Sequence, residues 1–291
     1  MFSTSIATGP GGKPAISFGD GLFFGNMMFA SINGSSWERT IVARGSMADA
    51  GEFSSLAFDR DGLPHIAYND GQILASLYYA TRNSSTGTWE FSLIDDDGAY
   101  TGDAGYSPSL AIDAANHPHV AYISDDLWGL RYATTRDDTN WTVTKLDELD
   151  YKNFFSFTFT GISLALDSKG YPHISYYNQT DQNNASAELR YLSWNGTGWD
   201  RETVIILANR DYATSLAIDS RDAPHIAYCD VAGKSLNYAT RTASGTWIVQ
   251  PVVQENHLLM TPSLALDPGD HPGIAYYDLT LHVLRFAQGT A

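Results

Sequence analysis

The sequence predicts an all-β, six-bladed β-propeller, and three observations lead there. One sixteen-residue phrase recurs six times without a gap, starting at residues 5, 55, 109, 163, 215 and 263. Its copies stand 50, 54, 54, 52 and 48 residues apart, a period of the size of a propeller blade. Between them lie short runs rich in Tyr, Ile, Val, Leu and Thr, broken by Gly, Asn, Asp and Pro, and no stretch keeps a helical period. All-β closed folds of this length form single units, so residues 1–291 are expected to be one propeller domain.

Each blade reads as four antiparallel strands. In SLALDSKGYPHISYYN (Ser163–Asn178), SLALD is the first strand and PHISYYN the second. LRYAT from Leu130 and LNYATR from Leu236 typify the third, and Trp37, Trp89, Trp141, Trp199 and Trp247 open the fourth. Apolar residues fall on both strand faces, as expected of sheets stacked between neighbours. After Asp59, Asp113, Asp167, Asp219 and Asp267 comes a turn in which Gly62, Asn116, Gly170, Asp222 and Asp270 occupy one position. Those residue types tolerate left-handed backbone, and the preceding Asp can accept turn amides. Pro64, Pro118, Pro172, Pro224 and Pro272 begin the second strand, where a missing N–H costs least.

His65, His119, His173 and His225 follow four of those prolines. A ring of histidines suggests metal or a proton relay. A residue repeated blade by blade more often serves a repeated structural need, such as tying one blade's turn to the next, and scaffold is the expectation here. The recurrent Trp is expected to anchor the outer edge. Ser124, Asn178, Asp20, Asp70, Asp230 and Asp278 end the second strands and are expected to cap turns.

The sixth copy, SLALDPGDHPGIAYYD, is followed by LHVLRFAQ and by no Trp-led strand. The last blade is therefore predicted to have three strands, with Val283–Phe286 as an open edge. That edge is blunted by Arg285 and His282, pairs with another chain in a dimer, or is covered by a strand outside this sequence.

Charge and cysteine content narrow the partners. A formal net charge of −16 argues against nucleic acid and anionic membrane. Cys229 is the only cysteine, which excludes an intramolecular disulfide and a multi-cysteine zinc site, and it is expected to be a small packed residue. MFSTSIATGP has neither the basic nor the apolar run of a signal peptide, and no segment has the apolar length of a membrane span. A soluble chain is expected, with no compartment assigned.

If the repeat is scaffold, function belongs where the copies disagree. The loops entering each first strand, and those joining strands two and three, gather at one mouth of a propeller. Here they share almost nothing and carry Phe23, Phe24, Trp128, Phe154, Phe155, Phe157, Leu258, Leu259 and Met260. They also carry unrepeated polar groups: Glu52, Asp103, Asn153, Asp211 and His257, with Tyr106 and Tyr212. Apolar walls with a few convergent polar groups describe a small-molecule pocket, although the same aromatics could simply plug the channel.

The six SLAxD…PHIAYxD units resemble the repeats of bacterial six-bladed β-propeller proteins over nearly the whole chain. The architecture is similar to that of calcium-dependent phosphotriesterases and lactonases, and none of their ligand positions carries over residue by residue. That similarity implies a hydrolase of small uncharged esters with Ca²⁺ at the mouth. Candidate metal ligands are then Glu52, Asp103, Asn153 and Asp211. His257, Glu52 or Asp211 would serve as general base, and Tyr106, Trp128, Phe155 and Tyr212 would hold the substrate. The sialidase Asp-box is absent from these turns. Two alternatives stay open: a glycan-binding module using Trp128, Trp194 and Tyr151, and a protein-interaction platform. Propeller lectins commonly repeat a sugar site in each blade, whereas the unrepeated loops here favour one central site, in a monomer or an edge-paired dimer.

Overall fold

In the computed structural model the described residues are 4–21, 25–44, 50–70, 76–96, 104–124, 129–149, 161–179, 186–208 and 213–289; for 50–52 and 179 only the backbone is described. The fold is a six-bladed β-propeller of antiparallel sheets, five of four strands and the last of three. Blade 1 holds β1 (Thr4–Thr8), β2 (Pro14–Gly19), β3 (Met27–Asn33) and β4 (Ser36–Ala43). Blade 2 holds β5 (Ala50–Phe58), β6 (Pro64–Asp70), β7 (Ser76–Arg82) and β8 (Trp89–Asp95). Blade 3 holds β9 (Ala104–Ile112), β10 (Pro118–Ser124), β11 (Gly129–Thr134) and β12 (Thr142–Glu148). Blade 4 holds β13 (Ser163–Leu166), β14 (Pro172–Gln179), β15 (Ala187–Trp194) and β16 (Trp199–Leu207). Blade 5 holds β17 (Thr214–Ile218), β18 (Pro224–Asp230), β19 (Ser235–Arg241) and β20 (Trp247–Gln254). Blade 6 holds β21 (Leu259–Leu266), β22 (Pro272–Asp278) and β23 (Val283–Gln288).

The chain divides into two compact units, Met1–Glu148 with the first three blades and Leu149–Ala291 with the last three. The only helical segment among the described residues is the 3₁₀ turn Pro10–Gly12, and no helix is long and apolar enough to cross a membrane.

Within each unit the phrase performs three structural tasks. Its serine links blades: the Oγ atoms of Ser5, Ser55, Ser163 and Ser215 accept the amides of Leu56, Leu110, Leu216 and Leu264 at 2.9–3.0 Å. Its aspartate closes the first hairpin, as when Asp167 Oδ1 accepts the Lys169 and Tyr171 amides at 2.9 and 2.8 Å. Its left-handed residue has φ near +65° in Asn116, Asp222 and Asp270 and near +80° in Gly62 and Gly170. Where that residue has a side chain, it reaches the preceding blade's turn. Asp222 takes the Ser168 amide and hydroxyl at 2.8 and 2.7 Å, and Asp270 takes those of Ser220 at 3.0 and 2.6 Å.

The histidines are scaffold, but within their own blade, which corrects the expected turn-to-turn tie. His65, His119, His173 and His225 hydrogen-bond through Nδ1 to the hydroxyls of Tyr79, Tyr132, Tyr191 and Tyr238 on the third strand. Their Nε2 atoms face the turn aspartates Asp59, Asp113, Asp167 and Asp219 at 3.3, 3.6, 3.7 and 3.3 Å. For His119, His173 and His225 the tyrosine can donate to Nδ1, whereas the Tyr79 hydroxyl also donates to Asp138 Oδ1 at 3.3 Å. Burial pushes the pKa of His65, His119 and His173 down, and the facing aspartates only partly oppose it.

The third-strand aromatic then receives the next blade's Trp edge-on. Trp89 meets Phe29 at 5.5 Å, while Trp141 meets Tyr79 and Trp247 meets Tyr191 at 5.2 Å. The Trp is thus an inter-blade wedge with a polar tip, since Trp141 Nε1 donates to Ser92 Oγ at 2.9 Å and Trp247 Nε1 to Glu202 at 2.8 Å. Cys229 is a fully buried packing residue.

Candidate functional site

Chemistry was expected at the strand-two to strand-three end of the blades, and there blade 6 builds a charged cluster around His257. The Asp278 carboxylate ends β22 and is completely buried. Its Oδ1 caps the turn by accepting the Leu281 amide at 3.0 Å, the role foreseen for this position. Its Oδ2 accepts from His257 Nδ1 at 2.8 Å and forms an ion pair with the Arg285 guanidinium at 3.1 Å. Glu255 completes the group, 3.2 Å from His257 Nδ1 and held by two 3.0 Å bonds from Arg285.

These positions follow from the local chain. Leu279 N donates to Leu258 O at 2.9 Å, and Leu258 N donates to Thr280 Oγ1 at 2.9 Å. This pairing holds the segment before β21 against the turn after β22, so His257 lies over Asp278. Arg285 stands opposite Tyr276 in the β22–β23 register.

Burial opposes ionisation of Asp278. The Leu281 amide, His257 and Arg285 outweigh it and hold the carboxyl below the usual carboxylate range. Arg285 is shifted up, by Tyr276 first and then by the two carboxylates. A carboxylate on Nδ1 fixes the imidazole tautomer with Nε2 as the free acceptor. The His257 side chain is partly exposed, and among the described residues no group bonds its Nε2. The arrangement can therefore move a proton at Nε2 while a negative charge steadies the imidazolium.

Glu255, His257 and Asp278 could each offer a metal ligand atom, all within 4.8 Å of one another. They do not fit the expected Ca²⁺. The guanidinium of Arg285 already pairs with both carboxylates, and one donor of the three is an imidazole nitrogen, whereas Ca²⁺ takes six to eight oxygens.

Of the residues singled out in the sequence, His257 lies in this cluster. Tyr106 lies on β9, buried, with its ring edge-on to Phe53 at 6.1 Å. Glu52 lies on β5, where only the backbone is described. Asp103, Trp128, Asn153, Phe155, Asp211 and Tyr212 lie outside the described residues, as does Tyr151. Trp194 packs edge-on against Trp199 at 5.7 Å, at the far end of blade 4.

Sequence reasoning missed Glu255, and it read Asp278 as a cap and Arg285 as an edge blunter. One signal was available. Arg131, Arg190 and Arg285 hold the same third-strand position opposite Tyr122, Tyr176 and Tyr276, and an inward arginine asks for a carboxylate. Asp95 supplies it for Arg131 at 2.6 Å and Glu188 for Arg190 at 2.7 Å.

No family model matches the chain, and no curated protein matches it in sequence. Solved structures match it in fold. A protein of unknown function from Dyadobacter fermentans aligns with a TM-score of 0.65 at 11% identity, over 98% of this chain and 92% of that one. The leech intramolecular trans-sialidase aligns with a TM-score of 0.63 at 11% identity, over 100% and 68%. The α-L-arabinofuranosidase of Fusarium graminearum aligns with a TM-score of 0.62 at 13% identity, over 99% and 92%. Carbohydrate-active enzymes are thus among the chain's structural neighbours. At these identities the likeness shows the propeller fold.

Proposed function

We propose that the chain is a hydrolase of carbohydrate substrates in which His257, oriented by Asp278, acts as general base towards water. The observation behind this is the buried Asp278 carboxylate on Nδ1 of an imidazole whose Nε2 is free. Positioned acid–base groups of this kind contribute about 10²–10⁴-fold in rate. The carbohydrate class is supported by the fold neighbours, two of which are a trans-sialidase and an arabinofuranosidase. Arg285 would keep Asp278 ionised beside the imidazole, so its role is positioning.

A second substrate class, the small uncharged ester, is favoured by the leucines around His257. Leu258, Leu279 and Leu281 are all exposed there, and an apolar acyl group would cover them. Neither reading routes a step through a metal.

One panel tests both: aryl glycosides, oligosaccharides and uncharged carboxylic and phosphate esters, assayed with and without chelator. His257→Gln should lower turnover about 10²-fold or more on whichever class the native chain hydrolyses, Asp278→Asn should lower it less, and chelator should change nothing. Wild-type turnover in His257→Gln would overturn the assignment. Binding of a glycan with no turnover in any assay would replace it with the glycan-binding module.

A further inference from the structure

Blades 2 and 3 meet inside one compact unit, Met1–Glu148, and their junction holds a carboxylate that its counterpart between blades 4 and 5 lacks. Tyr79 receives Trp141 as Tyr191 receives Trp247, each at 5.2 Å. The hairpin before Trp247, residues 242–246, contains no acid, whereas the hairpin before Trp141 contains Asp137 and Asp138. Asp137 is a cap: its Oδ1 accepts the Thr139 and Asn140 amides at 3.1 and 2.8 Å. Asp138 turns the other way, towards blade 2, with Oδ1 3.3 Å from the Tyr79 hydroxyl.

The turn alone does not call for Asp138. Its φ is +59°, in the left-handed region that residues with a Cβ seldom enter. Blade 4 fills the same place with Gly196, at φ +98°, after a cap, Asn195, that accepts amides two and three residues on as Asp137 does. The hairpin therefore closes equally well with no side chain at this position.

Four side chains stand in a row: Asp59, His65, Tyr79 and Asp138. Asp59 faces His65 Nε2 at 3.3 Å, His65 Nδ1 bonds the Tyr79 hydroxyl, and the hydroxyl meets Asp138. Each of the three contacts needs one hydrogen. A neutral imidazole has one and a phenol has one, so with both carboxylates ionised the row is one hydrogen short. The shortage falls where water cannot make it good, since His65 is 3% exposed and Tyr79 1%. A buried polar contact without its hydrogen is costly. In blade 4 the row of Asp167, His173 and Tyr191 has two contacts, and its two rings supply two hydrogens.

We propose that the junction of blades 2 and 3 binds one proton, carried by the Asp138 carboxyl, and that this proton latches the β11–β12 hairpin onto blade 2. In the bound form every hydrogen runs one way. Asp138 donates to the Tyr79 oxygen, Tyr79 to His65 Nδ1, and His65 Nε2 to Asp59. When the proton leaves, the single Tyr79 hydrogen faces two acceptors and holds only one of them. Burial raises the Asp138 pKa and lowers that of His65, and both shifts put the proton on the carboxyl rather than the imidazole. Asp137 and His117, both of blade 3, are the other titratable groups facing Asp138; Asp137 reinforces the upward shift and His117 opposes it. A folded pKa above the unfolded one gives a contribution fully present below the unfolded value and lost as pH rises through the folded value. The latch thus closes in acid, opposite in sign to the buried imidazoles.

Carboxyl ¹³C NMR titration of the intact chain, together with melting temperatures, tests the proposal. Asp138 should titrate above the ordinary carboxylate range and Asp137 below it, and the backbone amide shifts of residues 135–140 should follow Asp138. Tyr79→Phe decides which way the hydrogen points. It should lower the Asp138 pKa, because the protonated carboxyl loses its acceptor; a hydroxyl that donates to the carboxylate would make the same variant raise it. Asp138→Asn keeps a donor at every pH, so it should melt above the native chain at about pH 8 and level with it at about pH 4. The proposal is overturned by an Asp138 that titrates with ordinary carboxylates, by the proton appearing on His65, or by hairpin shifts that ignore Asp138. A raised Asp138 pKa in Tyr79→Phe, or an Asp138→Asn melting difference that does not change with pH, would overturn it too.

Discussion

Blade 5 and blade 6 begin with nearly the same words, SLAIDSRDAPHIAYCD and SLALDPGDHPGIAYYD, and differ in how they are finished. Blade 5 has His225 bonded to Tyr238, and both are buried. Blade 6 has Gly273 in place of the histidine and Phe286 in place of the tyrosine. Blade 1 makes the same paired change, with Ala15 and Phe29. Wherever the imidazole is lost, so is the hydroxyl it would satisfy. The histidine and tyrosine are therefore one structural unit, as the cost of an unpaired buried hydroxyl requires. In blade 6 the phenyl ring has moved into the vacated space, since a Cβ on Gly273 would lie 2.9 Å from Phe286 Cζ.

The largest contrast should appear in hydrogen exchange. Strand β19 lies between β18 and β20, whereas β23 pairs on one side only. Amides of β19 should exchange near the global unfolding free energy, and outward amides of β23 near zero. Equal protection in the two strands of isolated monomer would erase the distinction drawn here between a closed and an open blade.

His173→Ala should cost about 1–3 kcal/mol, because the buried Tyr191 hydroxyl loses its partner. Adding Tyr191→Phe should return part of that loss, as Gly273 with Phe286 implies. A thermal-denaturation double-mutant cycle with no coupling would break the pairing of the two residues. The same blades carry a pH signature. His65, His119 and His173 have pKa values depressed by burial, so the unfolded chain binds protons that the native rings refuse. Their contribution is fully present above the unfolded value of about 6.5 and is lost as pH falls below it through the folded values. Denaturant midpoints should therefore decline between pH 7.5 and 5. His173→Ala should flatten the decline, while a substitution in blade 6 such as Gly273→Ala should leave its slope unchanged.

The smallest effect is expected at one serine within blade 5. Ser215→Ala removes the acceptor of the Leu264 amide and should cost about 0.5–1.5 kcal/mol. A Ser215→Ala chain as stable to heat as the native one would deny the serine its structural task.

Much of this fold was legible in the sequence because it is built from local rules. Turn aspartates, left-handed Asn, Asp and Gly, strand-opening prolines and period-two strands each act within a few residues, and six copies averaged out their exceptions. The three-stranded last blade was legible too, from the missing Trp. The cluster around His257 was legible only in its histidine. Glu255 lies two residues from it, but Asp278 and Arg285 arrive through the β21–β22–β23 register, and the phrase disguised Asp278 as one more cap.

The sequence by itself determined the number of blades, their strands and the turns between them, since propensity and hydrogen bonding to the nearby backbone do not depend on distant partners. Tertiary structure decided what each repeated side chain is for. Whether Asp278 caps a turn or also orients an imidazole depends on which group stands opposite. That neighbour is fixed by strand register and blade stacking, which the repeated phrase shares across all six blades and so cannot encode for one of them.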